Sequence, residues 1–387
     1  MLRYAFIINP ASGNGKNAAR LKEQLAPYQN ENIKIYYTDG EKDATVLSDS
    51  IAQAAAMNGD TVNIFACGGD GTVQETAIGL LGHDNARLGI IPVGSGNDFV
   101  RCFEHPEHFK DIAKQMLAGQ QLEIASKEEE DEHLELAAGG QDEQAEPVAE
   151  MPAGAEPDVI AETPAEEEPE SATETSADEQ LTDIEQPEAT QETVNHLMKI
   201  DVLEYTYEKD GETLRDYAVN GINIGFDGNT AILAHDLKEL PLVQGSGSYV
   251  LAILVNLVRK KGTNLRIIAD GEELHDGPLI LCTAANGRFC GGGVESCPEA
   301  LLDNGKIELL LIKDVTRRFF VKVFPAFKDG RLKEIPGVED IIISKKVSEV
   351  TFTPNAGSMK FVADGEIRET GAITVRVIPK ALTVIVP

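Results

Sequence analysis

An aspartate stands among three glycines in the segment GGDGTVQ, Gly68–Gln74. The residues Thr61–Ala66 before it predict a short buried strand, and Thr72–Leu81 predict the start of a helix. Where a strand passes through glycines into a helix, an anion can approach the backbone N–H groups, and the helix N-terminus stabilises its negative charge. The segment therefore predicts a phosphate-binding loop.

Three other loops offer the same chemistry. Their glycines, hydroxyls and amides are the groups that hold a triphosphate and its ribose. They read NPASGNGK (Asn9–Lys16), YTDGEKDA (Tyr37–Ala44) and PVGSGNDF (Pro92–Phe99). One glycine-rich turn after a strand is common in proteins, but four of them after successive predicted strands indicate a nucleotide site.

Alternating strands and helices position these loops. Strands are predicted at Arg3–Asn9, Ile33–Thr38, Thr61–Ala66 and Arg87–Pro92, and helices at Lys16–Tyr28, Asp43–Met57 and Thr72–Leu81. This alternation predicts an α/β domain with a doubly wound parallel sheet over residues 1–125. In such a sheet the ligand lies at the carboxyl ends of the strands, which is where all four loops fall.

The net charge of −31 comes largely from one segment. Residues 126–196 hold 24 acidic residues and one basic residue, Lys127, which leaves 41 acidic and 33 basic residues, a net charge of −8, elsewhere. The segment has no aromatic residue and too few apolar ones to offset the entropy of ordering, so we predict a disordered insert. It is either a solvated spacer or an acidic arm that binds partners or keeps the protein off anionic surfaces.

Residues 197–387 show a different pattern. Short predicted strands, Arg215–Ile224 among them, are separated by turns such as the Asp-Gly pairs at 270–271 and 364–365. Only Ser248–Lys261 and Thr316–Lys328 have a helical pattern. This region therefore predicts a β-sandwich-like C-terminal domain with a few helices.

Six motifs occur together along the chain. They are NPASG, GGDGT, PVGSGNDF, INIGFDG (Ile222–Gly228), NGRFCGGGVESCPEALLDNGKIEL (Asn286–Leu309) and ADGE (Ala363–Glu366). This set resembles the diacylglycerol kinase catalytic superfamily, specifically its soluble bacterial lipid kinases, over nearly all of the chain outside the acidic segment. The resemblance implies a two-domain lipid kinase that uses ATP and Mg²⁺ to phosphorylate the hydroxyl of diacylglycerol, giving phosphatidic acid.

The resemblance also implies an ATP site. Ser95 stands where the family often has Thr and keeps the hydroxyl, whereas Gln74 replaces a usual Asn. On physical grounds, backbone amides of the glycine loop would neutralise phosphate charge, and Asp70 would either engage Mg²⁺ or hold its own loop. The implied ATP contacts are Asn9, Pro10, Ala11, Ser12, Gly13, Thr38, Gly68, Gly69, Asp70, Gly71, Thr72, Val73, Gln74 and Ser95.

The ADGE turn carries the implied catalytic residues. A lipid hydroxyl is a poor nucleophile, so a carboxylate must accept its proton during phosphoryl transfer. We expect Glu366 to be the proton acceptor and Asp364 its partner. An identical ADGE stands at 269–272, where it predicts an ordinary hairpin turn, and only the resemblance distinguishes the two.

A structural Mg²⁺ site is the least secure implication of the resemblance, because the chain departs from the family there. The family has Asp-Gly where this chain reads Asp303-Asn304-Gly305, so that the metal site maps onto Leu301, Asn304 and Lys306. An amide oxygen can ligate a hard cation but lacks the charge of a carboxylate. Asp303 is an alternative ligand.

The expected partners are a membrane lipid substrate and a membrane surface, with no nucleic acid; a homodimer stays open. The segment TRRFFVKVFPAFKDGRLK, Thr316–Lys333, mixes basic and aromatic residues, which suits either an anionic membrane or a helix whose phenylalanines face the core. The start of the sequence does not resemble a signal peptide, and Tyr249–Val258 is far short of the ~20 residues that span a bilayer. We therefore expect a cytoplasmic protein at the inner face of the membrane.

Other interpretations remain at this level. The acceptor could be a sphingoid base, ceramide or another glycerolipid, the chain could be an NAD kinase, or it could be a nucleotide-binding regulator without catalysis. His105 and His108 in EHPEH resemble a metal-ligand pair, but Pro106 and the lack of nearby partners favour a solvated helix start.

Overall fold

The computed structural model describes residues 2–26, 32–112, 115, 197–209, 211–225 and 262–387. The chain divides into two compact units, one formed by 1–126 with 195–387 and the other by 127–194. The acidic segment and the predicted helix Ser248–Lys261 lie outside the described residues, and the domain boundaries stay predictions. No helix in the described ranges is both long and apolar enough to cross a membrane.

The N-terminal half of the larger unit is a parallel α/β domain, as predicted. Its strands are β1 (Leu2–Ile8), β2 (Ile33–Tyr37), β3 (Thr61–Gly68) and β4 (Ala86–Pro92), and its helices are α1 (Lys16–Leu25), α2 (Asp43–Met57) and α3 (Asp70–Leu80). The strands run parallel in the order β4-β3-β1-β2. The order reverses between β1 and β3, and a ligand crevice is expected outside their carboxyl ends.

Side chains of β1 alternate between two apolar cores. Ala5 and Ile7 join one cluster, which also receives residues of α2 and α3, while Phe6 and Ile8 join the cluster on the opposite face. Because both faces of the strand are covered, its sequence is a continuous apolar run. This rigid sheet holds the four loops in fixed positions.

The C-terminal half is β-rich and sandwich-like. Its elements are β5 (Leu197–Lys209), β6 (Glu212–Ala218), β7 (Gly221–Gly225), β8 (Thr263–Ala269), β9 (Glu272–Ala285), β10 (Ile307–Lys313), α4 (Arg317–Lys328), β11 (Ile342–Val347), β12 (Glu349–Pro354), β13 (Met359–Ala363), β14 (Glu366–Thr370) and β15 (Ile373–Ile385). The strand pairs within this half are antiparallel. The predicted β-sandwich-like class is therefore confirmed.

Two elements differ from the sequence predictions in ways that matter for the site. The predicted single strand Arg215–Ile224 is two strands, β6 and β7, separated at Val219 and Asn220, whose backbone N–H groups donate to Asp364 instead. Helix α3 begins at Asp70 rather than Thr72. Asp70 therefore lies in the first turn of the helix.

Strand β15 connects the two halves. Its first part pairs with β12 and β5, and near its end Val384 pairs in parallel with Leu88 of β4. The register shifts between Ile378 and Leu382, where the strand passes from one half to the other. The two halves thus share one continuous sheet.

Candidate active site

Asn9 ties the loop after β1 to the helix after β3. Its side-chain Nδ2 donates to Oγ1 of Thr72 at 3.1 Å, and its Oδ1 accepts the N–H of Ala11 at 2.9 Å. The N–H of Asn9 also donates to the carbonyl of Cys67 at 3.1 Å. This residue therefore holds the first loop closed across the crevice between β1 and β3.

Some glycines of the site are required by packing. The N–H groups of Val93 and Gly94 donate to the carbonyl of Gly68, at 2.9 and 3.2 Å. A Cβ on Gly94 would lie 2.4 Å from Cα of Gly69, which real contacts do not allow. The two glycine loops at the ends of β3 and β4 are thus in backbone contact.

Gly71 differs from those glycines. A Cβ built on it meets nothing within 4 Å, so packing does not require the missing side chain. It is the exposed residue in the first turn of α3, whose cap residue Gly69 supplies no side-chain hydrogen bond. The start of α3 therefore combines free space beside Gly71 with backbone N–H groups that no side chain caps. An incoming phosphate needs both.

Asp70 and Asp98 form an acidic pair beside these loops. The N–H of Phe99 donates to Oδ1 of Asp70 at 3.2 Å, so that Asp70 holds the loop after β4. Burial raises the pKa of Asp70, against the opposing effect of hydrogen bonds from Phe99, Asn97 and Asp98. The sequence-based alternative that Asp70 fixes a loop agrees with this contact, although the loop is the neighbouring one.

Asp98 is a buried carboxylate that the sequence analysis quoted within PVGSGNDF but did not single out. Its Oδ2 accepts the N–H of Gly292 at 2.6 Å, from the C-terminal half of the chain. Its Oδ1 is buried without a hydrogen-bond partner, and Nε of Arg101 lies 3.8 Å away. Burial raises the pKa of Asp98 to about 6, the hydrogen bond from Gly292 opposes the rise, and the charge of Asp70 adds to it.

Asp364 lies in the turn between β13 and β14, with a left-handed φ of 46°. Its carboxylate accepts the N–H groups of Val219 (2.6 Å), Asn220 (3.1 Å) and Gly221 (2.8 Å). Burial raises the pKa of Asp364 to about 7, these hydrogen bonds oppose the rise, and the charge of Asp70 adds to it. The carboxylate therefore fixes the break between β6 and β7.

Glu366 is exposed at the start of β14, and Arg368 orients its carboxylate. Nη2 of Arg368 donates to Oε2 of Glu366 at 2.6 Å, and Nη1 donates to Oδ2 of Asp216 at 2.6 Å. The guanidinium also lies over the rings of Tyr205 and Tyr207, at 5.5 and 5.6 Å from their centroids. The expected pairing of Glu366 with Asp364 is not among these contacts, since each carboxylate has its own partners.

The second ADGE turn has the same backbone shape and other surroundings. Asp270 has a φ of 49°, and its carboxylate accepts the N–H groups of Ser348 and Glu349. Glu272 is exposed and pairs with Nζ of Lys345 at 2.6 Å. The two turns therefore differ in what they face rather than in how they fold.

The predicted metal site at Leu301, Asn304 and Lys306 stays a prediction. Oδ1 of Asn304 accepts the N–H of Lys306 at 2.9 Å, and Leu301 is exposed. The loop is instead held by the buried carboxylate of Asp201, which accepts the N–H groups of Gly305 (2.6 Å) and Lys380 (2.8 Å). An amide oxygen is a weaker ligand for a hard divalent cation than a carboxylate, and Asp201 holds this loop without one.

The remaining predicted ATP residues divide by exposure. Val73 and Gln74 are buried, and Nε2 of Gln74 donates to the carbonyl of Tyr217 at 3.1 Å. Their side chains thus pack inward, while Thr38 is buried beside the end of β2. Partly or fully exposed positions are Pro10, Ala11, Ser12, Gly13 and Ser95. All of these ATP assignments stay predictions.

Sequence reasoning missed three groups that the structure brings to the site: Asp98, the N–H groups of 219–221, and Gly292. Asp98 had a signal, because it lies in a glycine-rich loop after a strand. Gly292 lies within the quoted motif Asn286–Leu309, but no local feature indicated that its N–H group meets Asp98. The N–H groups of 219–221 had no signal, since they reach the site only through the pairing of β7 with β13 and β9.

A parallel α/β domain with glycine-rich loops, joined to a β-sandwich-like domain, defines the class of this protein. Residues 3–128 match the family described as Diacylglycerol kinase catalytic domain, and residues 220–386 match the YegS C-terminal NAD kinase beta sandwich-like domain. The chain therefore carries both domains, a diacylglycerol kinase catalytic domain followed by a YegS-type C-terminal domain.

Curated relatives match part of the chain. The Probable lipid kinase YegS of Escherichia fergusonii is 33% identical over 118 residues, which are 29% of this chain and 38% of the relative. The Diacylglycerol kinase of Bacillus subtilis is 36% identical over 117 residues, which are 30% of this chain and 36% of the relative. The chain thus matches less than two fifths of the length of these relatives.

The fold is similar to a solved structure over its whole length. The crystal structure of a diacylglycerol kinase from Bacillus anthracis str. Sterne superimposes with a TM-score of 0.56 at 18% identity. The superposition covers 100% of this chain and 97% of that chain. At this identity, the likeness describes the fold.

Proposed function

We propose that the chain is an ATP- and Mg²⁺-dependent lipid kinase that transfers the γ-phosphoryl group to the hydroxyl of diacylglycerol. The observation that carries this proposal is that the C-terminal half contacts the glycine-rich loops directly: the N–H of Gly292 donates to Asp98 at 2.6 Å, and Gln74 donates to the carbonyl of Tyr217, close to the segment that Asp364 holds, at 3.1 Å. A phosphotransferase needs a phosphate-binding loop and an acceptor-side carboxylate at one place. Family membership supports the same activity.

The open first turn of α3 is the proposed phosphate site. Gly71 leaves room for the phosphates there, and the N-terminal end of the helix stabilises their charge. Asn9 and Thr72, joined by a hydrogen bond, close one side of this space. ATP would thus bind at the carboxyl ends of β1 and β3.

The pair Asp70 and Asp98 fits a Mg²⁺ ion held jointly with phosphate oxygens. Mg²⁺ takes hard oxygen ligands and is usually bound by one or two carboxylates together with substrate phosphates. Oδ1 of Asp98 is buried and lacks a hydrogen-bond partner, as expected of an oxygen reserved for a cation. When bound, the ion would neutralise charge on the transferring group.

Glu366 is the proposed proton acceptor, and Asp364 is a positioning residue. All three backbone donors of 219–221 converge on Asp364, so that its oxygens already have partners. The carboxylate of Glu366 is exposed and is held from one side by Arg368. It can therefore accept a proton from a hydroxyl that approaches from solvent or from a lipid surface.

The lipid is proposed to come from a membrane surface, and helix α4 is proposed to contact that surface. Phe320, Phe324 and Phe327 of this helix pack into the core, which leaves the bases Arg318 and Lys322 exposed. Contact through such a face would be electrostatic, with an anionic membrane at the inner side of the cell. Sedimentation with anionic vesicles tests it: Lys322→Glu should bind less than the unchanged chain, and equal binding would contradict this role of α4.

The kinase proposal is tested by incubating the full chain with radiolabelled ATP, Mg²⁺ and mixed micelles, followed by thin-layer separation. Labelled phosphatidic acid from diacylglycerol is the expected product. A panel of sphingoid base, ceramide, monoacylglycerol and NAD under the same conditions identifies the preferred acceptor. Labelled NADP without a labelled lipid would overturn the lipid kinase proposal, and transfer to no acceptor would favour a regulator.

A further inference from the structure

Two histidines share one side of a tight turn that follows the site loop. The N–H of His108 donates to the carbonyl of His105 at 3.1 Å, so that the two residues are three apart across one turn. Pro106 fixes the backbone dihedral that this turn needs at its second position. The imidazole rings stack with centroids 5.0 Å apart at 26°. Pro106, which argued against a pair of histidines in the sequence analysis, therefore favours the turn that brings His105 and His108 together.

Glu107 completes a group of three ligands. Its Oε1 lies 3.4 Å from Nδ1 of His105. One ligand atom each from His105, Glu107 and His108 lies within 4.8 Å of the other two, and within the described ranges no other trio of His, Cys, Asp or Glu does so. The three groups thus lie side by side on the surface.

The contact of His108 with Pro387, two residues after β15, fixes the tautomer of the His108 ring. Nδ1 of His108 lies 3.2 Å from the carbonyl oxygen of Pro387. A carbonyl oxygen only accepts hydrogen bonds, so Nδ1 carries the proton and Nε2 of the neutral ring keeps its lone pair. A hydrogen bond from the second ring nitrogen to a carbonyl is the usual support of a metal-binding histidine.

We propose that His105, Glu107 and His108 bind a Zn²⁺ ion, with water in the remaining position. Two imidazoles and a carboxylate are an established ligand set for Zn²⁺. Tetrahedral bonds of ~2.0–2.2 Å place neighbouring ligand atoms about 3.3–3.4 Å apart, which is the present spacing of His105 Nδ1 and Glu107 Oε1. Binding would require side-chain rotations, which the exposure of His105 and Glu107 permits.

The ion would clamp this turn at a junction of the fold. The turn lies between Phe103 and Phe109, which contact each other at a centroid distance of 5.0 Å and belong to the core of the N-terminal half. His108 touches the last residue of the chain described here, Pro387. Zn²⁺ would therefore raise the stability of the folded state, since it binds the folded arrangement and not the unfolded chain. This site is independent of the kinase proposal.

Zn²⁺ affinity of the full chain is the direct test, measured by competition with a chromophoric chelator. The variants His105→Asn and Glu107→Gln keep the contact of His108 with Pro387 and should fold normally. Each should weaken binding at least about tenfold, the loss typical when support of a metal site is removed. The control is His83→Asn, since His83 pairs with Asp49 outside this turn.

Thermal unfolding gives the second measurement. Zn²⁺ should raise the Tm of the unchanged chain and of His83→Asn, and the rise should be lost in His105→Asn and Glu107→Gln. Equal affinity and an equal rise in all four proteins would overturn the proposal, because the metal would then bind elsewhere, for instance in the acidic segment. The absence of any Zn²⁺ binding would overturn it as well and leave an ordinary contact between His105 and Glu107.

Discussion

Asp364 and Asp70 come from opposite halves of the chain, yet the charge of Asp70 acts on the carboxyl of Asp364. Burial is the main reason why the pKa of Asp364 rises to about 7, and the negative charge of Asp70 adds to that rise. The ADGE turn therefore lies within electrostatic reach of the glycine-rich loop. A bound cation or an incoming phosphate would change the charge balance for both residues at once.

The two acids of this turn should respond differently to loss of charge. Glu366→Gln removes the proposed proton acceptor at an exposed position, so kcat should fall by ~10²–10⁴-fold with Tm and the KM for ATP nearly unchanged. Asp364→Asn weakens an acceptor for three backbone N–H groups. The free energy of unfolding should therefore fall by ~1–3 kcal/mol, and Tm should fall with it. Steady-state kinetics and thermal unfolding separate the two effects.

The look-alike turn supplies matched controls for this pair. Glu272→Gln and Asp270→Asn are the equivalent substitutions in a turn of the same backbone conformation, away from Asp70. Both should keep kcat, and Asp270→Asn should lose some stability because Ser348 and Glu349 donate to it. If Glu272→Gln proved the inactive variant and Glu366→Gln the active one, the catalytic assignment would be wrong.

Alanine substitutions at Gly71 and Gly94 should separate a glycine that ATP binding requires from one that packing requires. Gly71→Ala meets nothing in the fold and lies in a helix, where Ala is better than Gly by ~0.5–1 kcal/mol, so Tm should hold or rise while ATP binding weakens. Gly94→Ala would drive a methyl into Gly69, so the folded state should lose ~1–3 kcal/mol. Calorimetric titration with ATP and thermal unfolding give both quantities. Full ATP affinity in Gly71→Ala would place the phosphates elsewhere.

The acidic pair should make stability depend on pH in a defined direction. The pKa of Asp98 is about 6 in the folded chain, above its ordinary value of 3.8, so the folded state holds more protons than the unfolded one between those values. The contribution of Asp98 to stability therefore falls as pH rises through this window. Mg²⁺ binds the ionised carboxylate, so its effect on Tm should be larger near neutral pH than in mild acid.

Asp98→Asn is the variant that isolates this effect. It should flatten the part of the Tm profile between about pH 4 and 6 and reduce the response to Mg²⁺. An unchanged Mg²⁺ response in Asp98→Asn would mean that the ion binds without this carboxylate.

Asp201 should hold its loop without a metal. Its buried carboxylate accepts two backbone N–H groups, one from Gly305 and one from Lys380 at the register shift of β15. Asp201→Asn should therefore cost ~1.5–3 kcal/mol of unfolding free energy, the range for hydrogen bonds to a charged group. Asn304→Ala, the control within the loop, should cost less than half as much in the same denaturant titration. A larger loss in Asn304→Ala would restore the metal interpretation of the loop.

The acidic segment should be dispensable for folding. Residues 127–194 form a unit apart from the one that holds the site, so replacing them with a flexible Gly/Ser linker should leave cooperative unfolding and kinase activity. A second variant with the acidic residues of 128–192 changed to Gln or Asn keeps the length and removes the charge. Stronger binding of both variants to anionic vesicles would indicate that the acidic segment keeps the protein off anionic surfaces. Unchanged binding would indicate a solvated spacer. Loss of the cooperative transition in the linker variant would contradict the prediction.

The sequence by itself determined the class of fold and the location of the glycine-rich loops. Strand and helix periods are local properties, so the alternation before residue 125 and the short strands after residue 197 predicted both halves correctly. The glycine loops could be recognised because each follows its strand directly. Even the two ADGE turns were correctly predicted as hairpin turns, since Asp-Gly favours positive φ at both central positions.

Only the tertiary structure decided which local features form the site. The two ADGE turns are identical in sequence, and what separates them is that β13 pairs with β7, which brings Asp364 to 219–221. Likewise Gly71 and Gly94 look alike in the sequence, but only Gly94 meets another backbone. The hydrogen bond from Gly292 to Asp98 belongs to the same group. Contacts between residues far apart in the chain, and the burial that shifts a pKa, arise from packing and have no local sequence signal.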